Sequence, residues 1–248
     1  MMRTANPALN SKTFTGLRVT DESNTMTLQG TVHKTGFLLL LVMMGAWWTW
    51  RMFFASQNPA VVYPWIMGGA IAGLVVAMVT IFKKDWAGVT APAYAILEGF
   101  VLGGISAIFE VKYHGIVIQA VGLTFGTLFA LLIAYRSGMI KVTQNFRLGV
   151  VAATGGILMV YVATWLLGML GLSVPFIHQS GIIGIGFSAF VVVIAALNLV
   201  LDFDFIERGA ESHAPKFMEW YAAFGLIVTL VWLYLEILRL LAKLNSRR

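Results

Sequence analysis

The stretch "GIIGIGFSAFVVVIAALNLVLDFDFIERGAE", residues 181–211, decides how this chain is to be read. Up to Leu201 its only strongly polar side chain is Asn198, and then Asp202 and Asp204 follow. An apolar helix of about 20 residues crosses the hydrocarbon core of a bilayer, and residues 181–203 meet that length. A carboxylate at the centre of such a span costs roughly 2.5–3.5 kcal/mol on insertion scales. The two aspartates are therefore either the water-facing end of a transmembrane helix or working residues kept there against that cost.

Six further windows of the same kind occur, at 35–55, 60–82, 89–110, 115–135, 148–171 and 218–243. The polar breaks between them are short: Gln57-Asn58-Pro59, Lys83-Lys84-Asp85, Lys112-Tyr113-His114, Arg136 to Arg147, Pro175 to Gly181, and Glu207 to Lys216. Short connections make neighbouring helices antiparallel and close, and they leave no room for a second domain. The expected fold is all-α, a polytopic seven-helix transmembrane bundle over 35–248. Residues 1–34 are polar, lack the apolar core of a cleaved signal peptide, and read as a flexible cytoplasmic arm.

Composition agrees. The chain is 59% hydrophobic and 11% charged, whereas soluble domains carry about 25% charge. The net charge of +6 belongs to loops and the anionic lipid surface. The loops lack the aromatic interleaving that nucleic-acid binding requires, so no nucleic-acid partner is expected. Cysteine is absent, which excludes disulfides, thiolate metal sites and cysteine catalysis. The four histidines, His33, His114, His178 and His213, have no helical ligand spacing, so no zinc site is expected.

Basic residues set the orientation. With the N-terminus inside, Arg3, Lys12, Arg18, Lys34, Lys83, Lys84, Arg136, Lys141, Arg147, Arg208 and Lys216 are cytoplasmic, and the outer loops hold Arg51 and Lys112. The dissent comes from Arg239, Lys243, Arg247 and Arg248, which seven crossings place outside. Gly69 and Gly73, Gly99 and Gly103, and Gly122 and Gly126 are each four apart, a spacing that lets helices approach closely in lipid.

Few ionisable residues remain within the spans, and each is a functional candidate by position. Glu98 lies ten residues into the third span. It either holds helices together as a hydrogen-bonded carboxyl or serves an ion or proton path. Asp202 follows Asn198 by four residues and so shares its face, while Asp204 points elsewhere as the more solvated neighbour. Glu236, in the seventh span, is three residues from Arg239 and can pair with it locally. Enzymatic activity is not expected. Ser188 has no histidine in any span to act as base, and Asp202 has no aspartate on another span to face.

The constellation resembles the Bax inhibitor-1/YccA-like family, also called the transmembrane Bax inhibitor motif family. The resemblance rests on "ILEGFVLGGIS" (96–106), "LVLDFDFIERGAE" (199–211) and "LYLEILRLL" (233–241), set in seven short-looped spans. The longer N-terminal arm, with "NPALNSKTF" and "MTLQGTVHKTG", is similar to the bacterial branch, which implies the bacterial cytoplasmic (inner) membrane. The resemblance implies a bundle with the last helix central and a pH-sensitive calcium leak. It also implies an acidic pair between the sixth and seventh helices, which here would join Glu236 to Asp202, or to Asp204 in a shifted alignment. Glu98 falls on the family's third-helix acidic position.

Two carboxyls held close in low dielectric share a proton more readily than both ionise, and oxygen-only ligands at Asp202 and Glu236 would suit calcium. No resident cofactor is implied, calcium being the permeant ion. Two other readings stand beside the leak. One is a membrane modulator of a quality-control protease, acting through the arm. The other is a proton-coupled solute transporter relaying through Glu98 and Asp202. This chain departs from the family in having glutamate at 236, and in the 34 positions from Asp202 to Glu236, with the extra length around "SHAPKFMEW" (212–220).

Overall fold

A computed structural model describes residues 24–170 and 181–247. Among them run seven α-helices, each long and apolar enough to cross a membrane: α1 (Leu28–Ser56), α2 (Tyr63–Phe82), α3 (Ala87–Lys112), α4 (Ile116–Arg136), α5 (Gln144–Met169), α6 (Ile182–Glu211) and α7 (Met218–Asn245). The all-helical, seven-span reading holds. The Pro175–Gly181 break (except Gly181 itself), His178, and the cations Arg3, Lys12, Arg18 and Arg248 lie outside the described residues. So does the arm as far as residue 23, and with it the expected protease contact.

The last helix is central. It packs against α1, α3, α4 and α6. Tyr221, Phe224, Ile227, Leu233 and Leu238 are all but fully enclosed along it. On the other side of the bundle α1, α2 and α3 pack tightly, and glycine is the reason. A Cβ on Gly45 would meet the carbonyl oxygen of Ile96 at 2.6 Å, and one on Gly69 would meet that of Leu97 at 2.8 Å. Gly99 and Gly103 likewise sit against the α1 backbone. Gly122 and Gly126 differ from the expectation, since nothing lies within 4 Å of the space their Cβ atoms would fill. That face of α4 is open.

Two helix boundaries move by about two turns. The first helix starts at Leu28, so residues 28–34, expected in the arm, belong to it. Thr27 caps it by accepting from the Gly30 amide at 3.0 Å, and both the amide and the hydroxyl of Thr27 donate to Glu219 Oε1 at 2.9 Å. Glu219, wholly buried at the start of α7, also forms an ion pair with Lys34. Just before α1 the chain pairs with the α6–α7 turn, where the Met26 amide donates to Ala214 at 2.6 Å and the Lys216 amide to Asn24 at 2.8 Å. The sixth helix continues to Glu211, nine residues past Asp202. Phe203, Phe205 and Ile206 are buried in the core there, which keeps this part helical and out of water.

The fifth helix is peripheral. Arg147, Val150 and Ile157 are its buried residues, and its main packing partner is α6.

Candidate functional site

Asp202 is almost fully enclosed, and neither carboxyl oxygen has a hydrogen-bond partner. Thr229, on the central helix, stands beside it, but the Thr229 hydroxyl donates to Gly225 O at 3.3 Å. A buried carboxyl without a partner is costly to ionise and is therefore the kind of group a fold retains for a purpose.

Glu236 is equally buried but fully engaged. Tyr161 Oη donates to its Oε1 at 2.9 Å, and Arg239 Nη1 reaches Oε1 at 2.9 Å and Oε2 at 3.1 Å. The local pair with Arg239 is thus formed, with Tyr161 of α5 as a third member. Asp202 and Glu236 do not meet. The α7 residue facing Asp202 is Thr229, and Glu236 lies seven positions further on, about 10 Å along the axis. The continuation of α6 past Asp202 does not close that gap, because α7 begins at Met218 and the two helices pass with Asp202 level with Thr229. Among the described residues no three His, Asp or Glu side chains converge on a metal position, and Glu236 is bound by Arg239 and Tyr161 rather than by Asp202.

Asp204 corrects a second expectation. It is buried rather than solvated, and it lies between two guanidinium groups. Arg147 Nη2 of α5 donates to Oδ2 at 2.6 Å, and Arg208 Nε, one turn along α6, donates to Oδ1 at 2.9 Å. Arg147, read from the sequence as a loop cation, is buried within α5. Beside this group Tyr135 of α4 donates to Glu207. Asn198 also faces α5, its Nδ2 donating to Thr154 Oγ1 at 2.9 Å and to Ile194 O at 2.8 Å.

Glu98 is remote from these groups. Its carboxylate lies against Gly73 of α2, and among the described residues no hydrogen bond or ion pair joins it to Asp202 or Glu236. Ser188 does have a basic neighbour. Lys243 Nζ donates to its Oγ at 2.8 Å and to Gly184 O at 3.0 Å. In both bonds the amine is the donor, so it ties the start of α6 to the end of α7. An apolar cavity of about 410 Å³, lined in part by Trp47, Leu102, Val121 and Leu230, lies between α1 and α4. Ser106 and Tyr234, whose hydroxyls are 2.5 Å apart, also line it.

Sequence reasoning missed the α5 contributors. Arg147, Thr154 and Tyr161 are seven apart, which repeats one helix face every two turns. Each meets a polar group of α6 or α7. A period-seven polar series in an otherwise apolar span was the available signal.

Comparison with curated proteins and with solved structures returns no match. The Bax inhibitor 1 like family model matches residues 6–246, nearly the whole length. With seven membrane-spanning helices among the described residues, the last of them buried, the chain belongs to the Bax inhibitor 1 like family of multi-pass membrane proteins.

Proposed function

We propose that the protein is a pH-responsive calcium leak in which Asp202 is the proton-sensing group. The observation that carries this reading is the Asp202 carboxyl, enclosed against the central helix with neither oxygen hydrogen-bonded. Charge appearing on that carboxyl has no counter-ion in this arrangement. It must be answered by a shift of α6 against α7 or by an incoming cation. Carboxylate and hydroxyl oxygens are ligands of the kind a hard cation such as calcium takes. The direct carboxyl pair is replaced in this reading by one sensing acid and two acids already held by cations: Asp204 by Arg147 and Arg208, and Glu236 by Arg239.

The test is calcium flux into liposomes as a function of pH. Asp202→Asn, which keeps the shape and removes the titrating group, is expected to conduct with a flat pH profile. A pH profile identical to the parent's would sink the assignment.

A further inference from the structure

The apolar cavity of about 410 Å³ lies at the side of the bundle. Helix α1 packs chiefly on α3, and α4 on α7, so a gap is left between α1 and α4. Met43 and Trp47 at its rim are exposed, while Val42, Leu102 and Leu230 at its back are buried. In a bilayer this gap faces hydrocarbon. An apolar void stays dry, and one left empty forfeits the contacts of the side chains around it. Its volume falls within the roughly 300–1,000 Å³ of small-ligand sites, which set a few polar groups in an apolar lining.

The lining has an unspent donor. Ser106 Oγ and Tyr234 Oη, both buried, are 2.5 Å apart. Two hydroxyls hold two protons, and the bond between them uses one. Among the described residues neither oxygen has another hydrogen-bond partner, so one O–H is left over at the cavity wall. The packing of α1 on α3 fixes its level. The two helices run the same way, with Gly99 against Val42 and Gly103 against Ala46 and Thr49, so Ser106 is level with the turn that holds Trp50. Helix α3 has 26 residues, or ~39 Å, against ~30 Å of hydrocarbon. Ser106 lies ~9 Å short of its end at Lys112, which puts the hydroxyl pair within about a turn of the hydrocarbon boundary. Deeper in the bilayer the lining is apolar, with Phe125, Leu230 and Leu39, the last ~16 Å from Trp50 along α1. A spare donor near the boundary, leading into an apolar shaft, fits an acyl chain with an ester carbonyl at its head, an acceptor that brings no proton of its own. We infer that this cavity binds one acyl chain of a glycerolipid, whose ester carbonyl accepts from the Ser106–Tyr234 hydroxyl pair.

Photolabelling tests this without any ion flux, so the outcome is separate from that of the leak. In liposomes, a phosphatidylcholine with a mid-chain diazirine is expected on irradiation to form adducts at Val42, Leu102 and Leu230, buried positions that surrounding lipid does not reach. Met159, exposed on α5, reports the surrounding lipid. The ether-linked analogue, which lacks the carbonyl, is expected to label the buried positions about threefold less relative to Met159, the worth of one hydrogen bond in a bilayer. Ser106→Ala/Tyr234→Phe removes that difference. Val121→Trp, which fills the cavity from α4, removes the buried adducts while Met159 stays labelled. Adducts confined to exposed residues such as Met43 and Met159, as when a second copy of the chain covers the gap, overturn the inference. So does equal labelling of the buried positions by the ester and ether probes.

Discussion

At the scale of single residues, Asp202 and Asp204 are two positions apart and have opposite roles. Asp204 is a buried anion with two guanidinium partners, so it is a structural fastening. Removing one partner of a buried ion pair leaves the other charge uncompensated, at a cost of roughly 3–5 kcal/mol. Asp204→Ala is expected to destabilise the protein by about that much, read as a lowered midpoint in detergent unfolding. Combining it with Arg147→Ala should cost less than the sum of the two single changes, because the orphaned charge goes too. Additive losses would mean that the pair does not act as a unit. Asp202 has no partner to lose, and Asp202→Asn is expected to leave that midpoint in place while flattening the pH profile of flux. The two aspartates are therefore separable by stability against function.

At the scale of elements, the bundle is held in two different ways. The first three helices approach backbone to backbone through glycine, and α5 is attached by polar contacts with little apolar burial. Overpacking a tight interface typically costs about 1–3 kcal/mol. Gly99→Leu, pushing against Val42 and Gly45 of α1, is expected to lower thermal stability accordingly. Gly122→Leu, with open space around it, should leave stability unchanged even though Gly122 also belongs to a four-residue glycine pair. Equal losses in the two variants would show that spacing matters more than packing. Spacing places glycines on one face of a helix, and only the partner helix decides whether that face is covered.

At the scale of the whole molecule, Glu219 joins the beginning of the described chain to its last helix. Through Thr27 and Lys34 it anchors the start of α1 on α7, next to the short pairing of Asn24–Met26 with the α6–α7 turn. Glu219→Gln is expected to speed amide hydrogen exchange over residues 26–31 while the centre of α7 stays protected. Unchanged exchange there would mean that packing alone holds this end shut. The far end holds two of the four cations that argue against the expected orientation. Arg239 is bound to Glu236 and Tyr161, and Lys243 is buried with its ammonium on Ser188 and Gly184. Lys243 is therefore an interior tie and counts for little in a rule about solvated loop charge, whereas the Arg239 side chain is 43% exposed.

The sequence by itself determined the class of fold and the number of spans, and for a physical reason. A helix in lipid satisfies its backbone hydrogen bonds within its own segment, so length and apolarity, both local, are enough to identify it. Candidate acids were legible for the same reason, since an ionisable residue inside an apolar run stands out whatever surrounds it. Their partners were not. Arg147 and Asp204 are 57 residues apart, and Tyr161 and Glu236 are 75. Whether such groups meet depends on the axial offset and rotation of packed helices, which many side-chain contacts set together. Tertiary structure alone decided that Asp202 faces Thr229 and not Glu236, that Asp204 is held by arginines, and that α5 supplies partners to Asp204, Asn198 and Glu236.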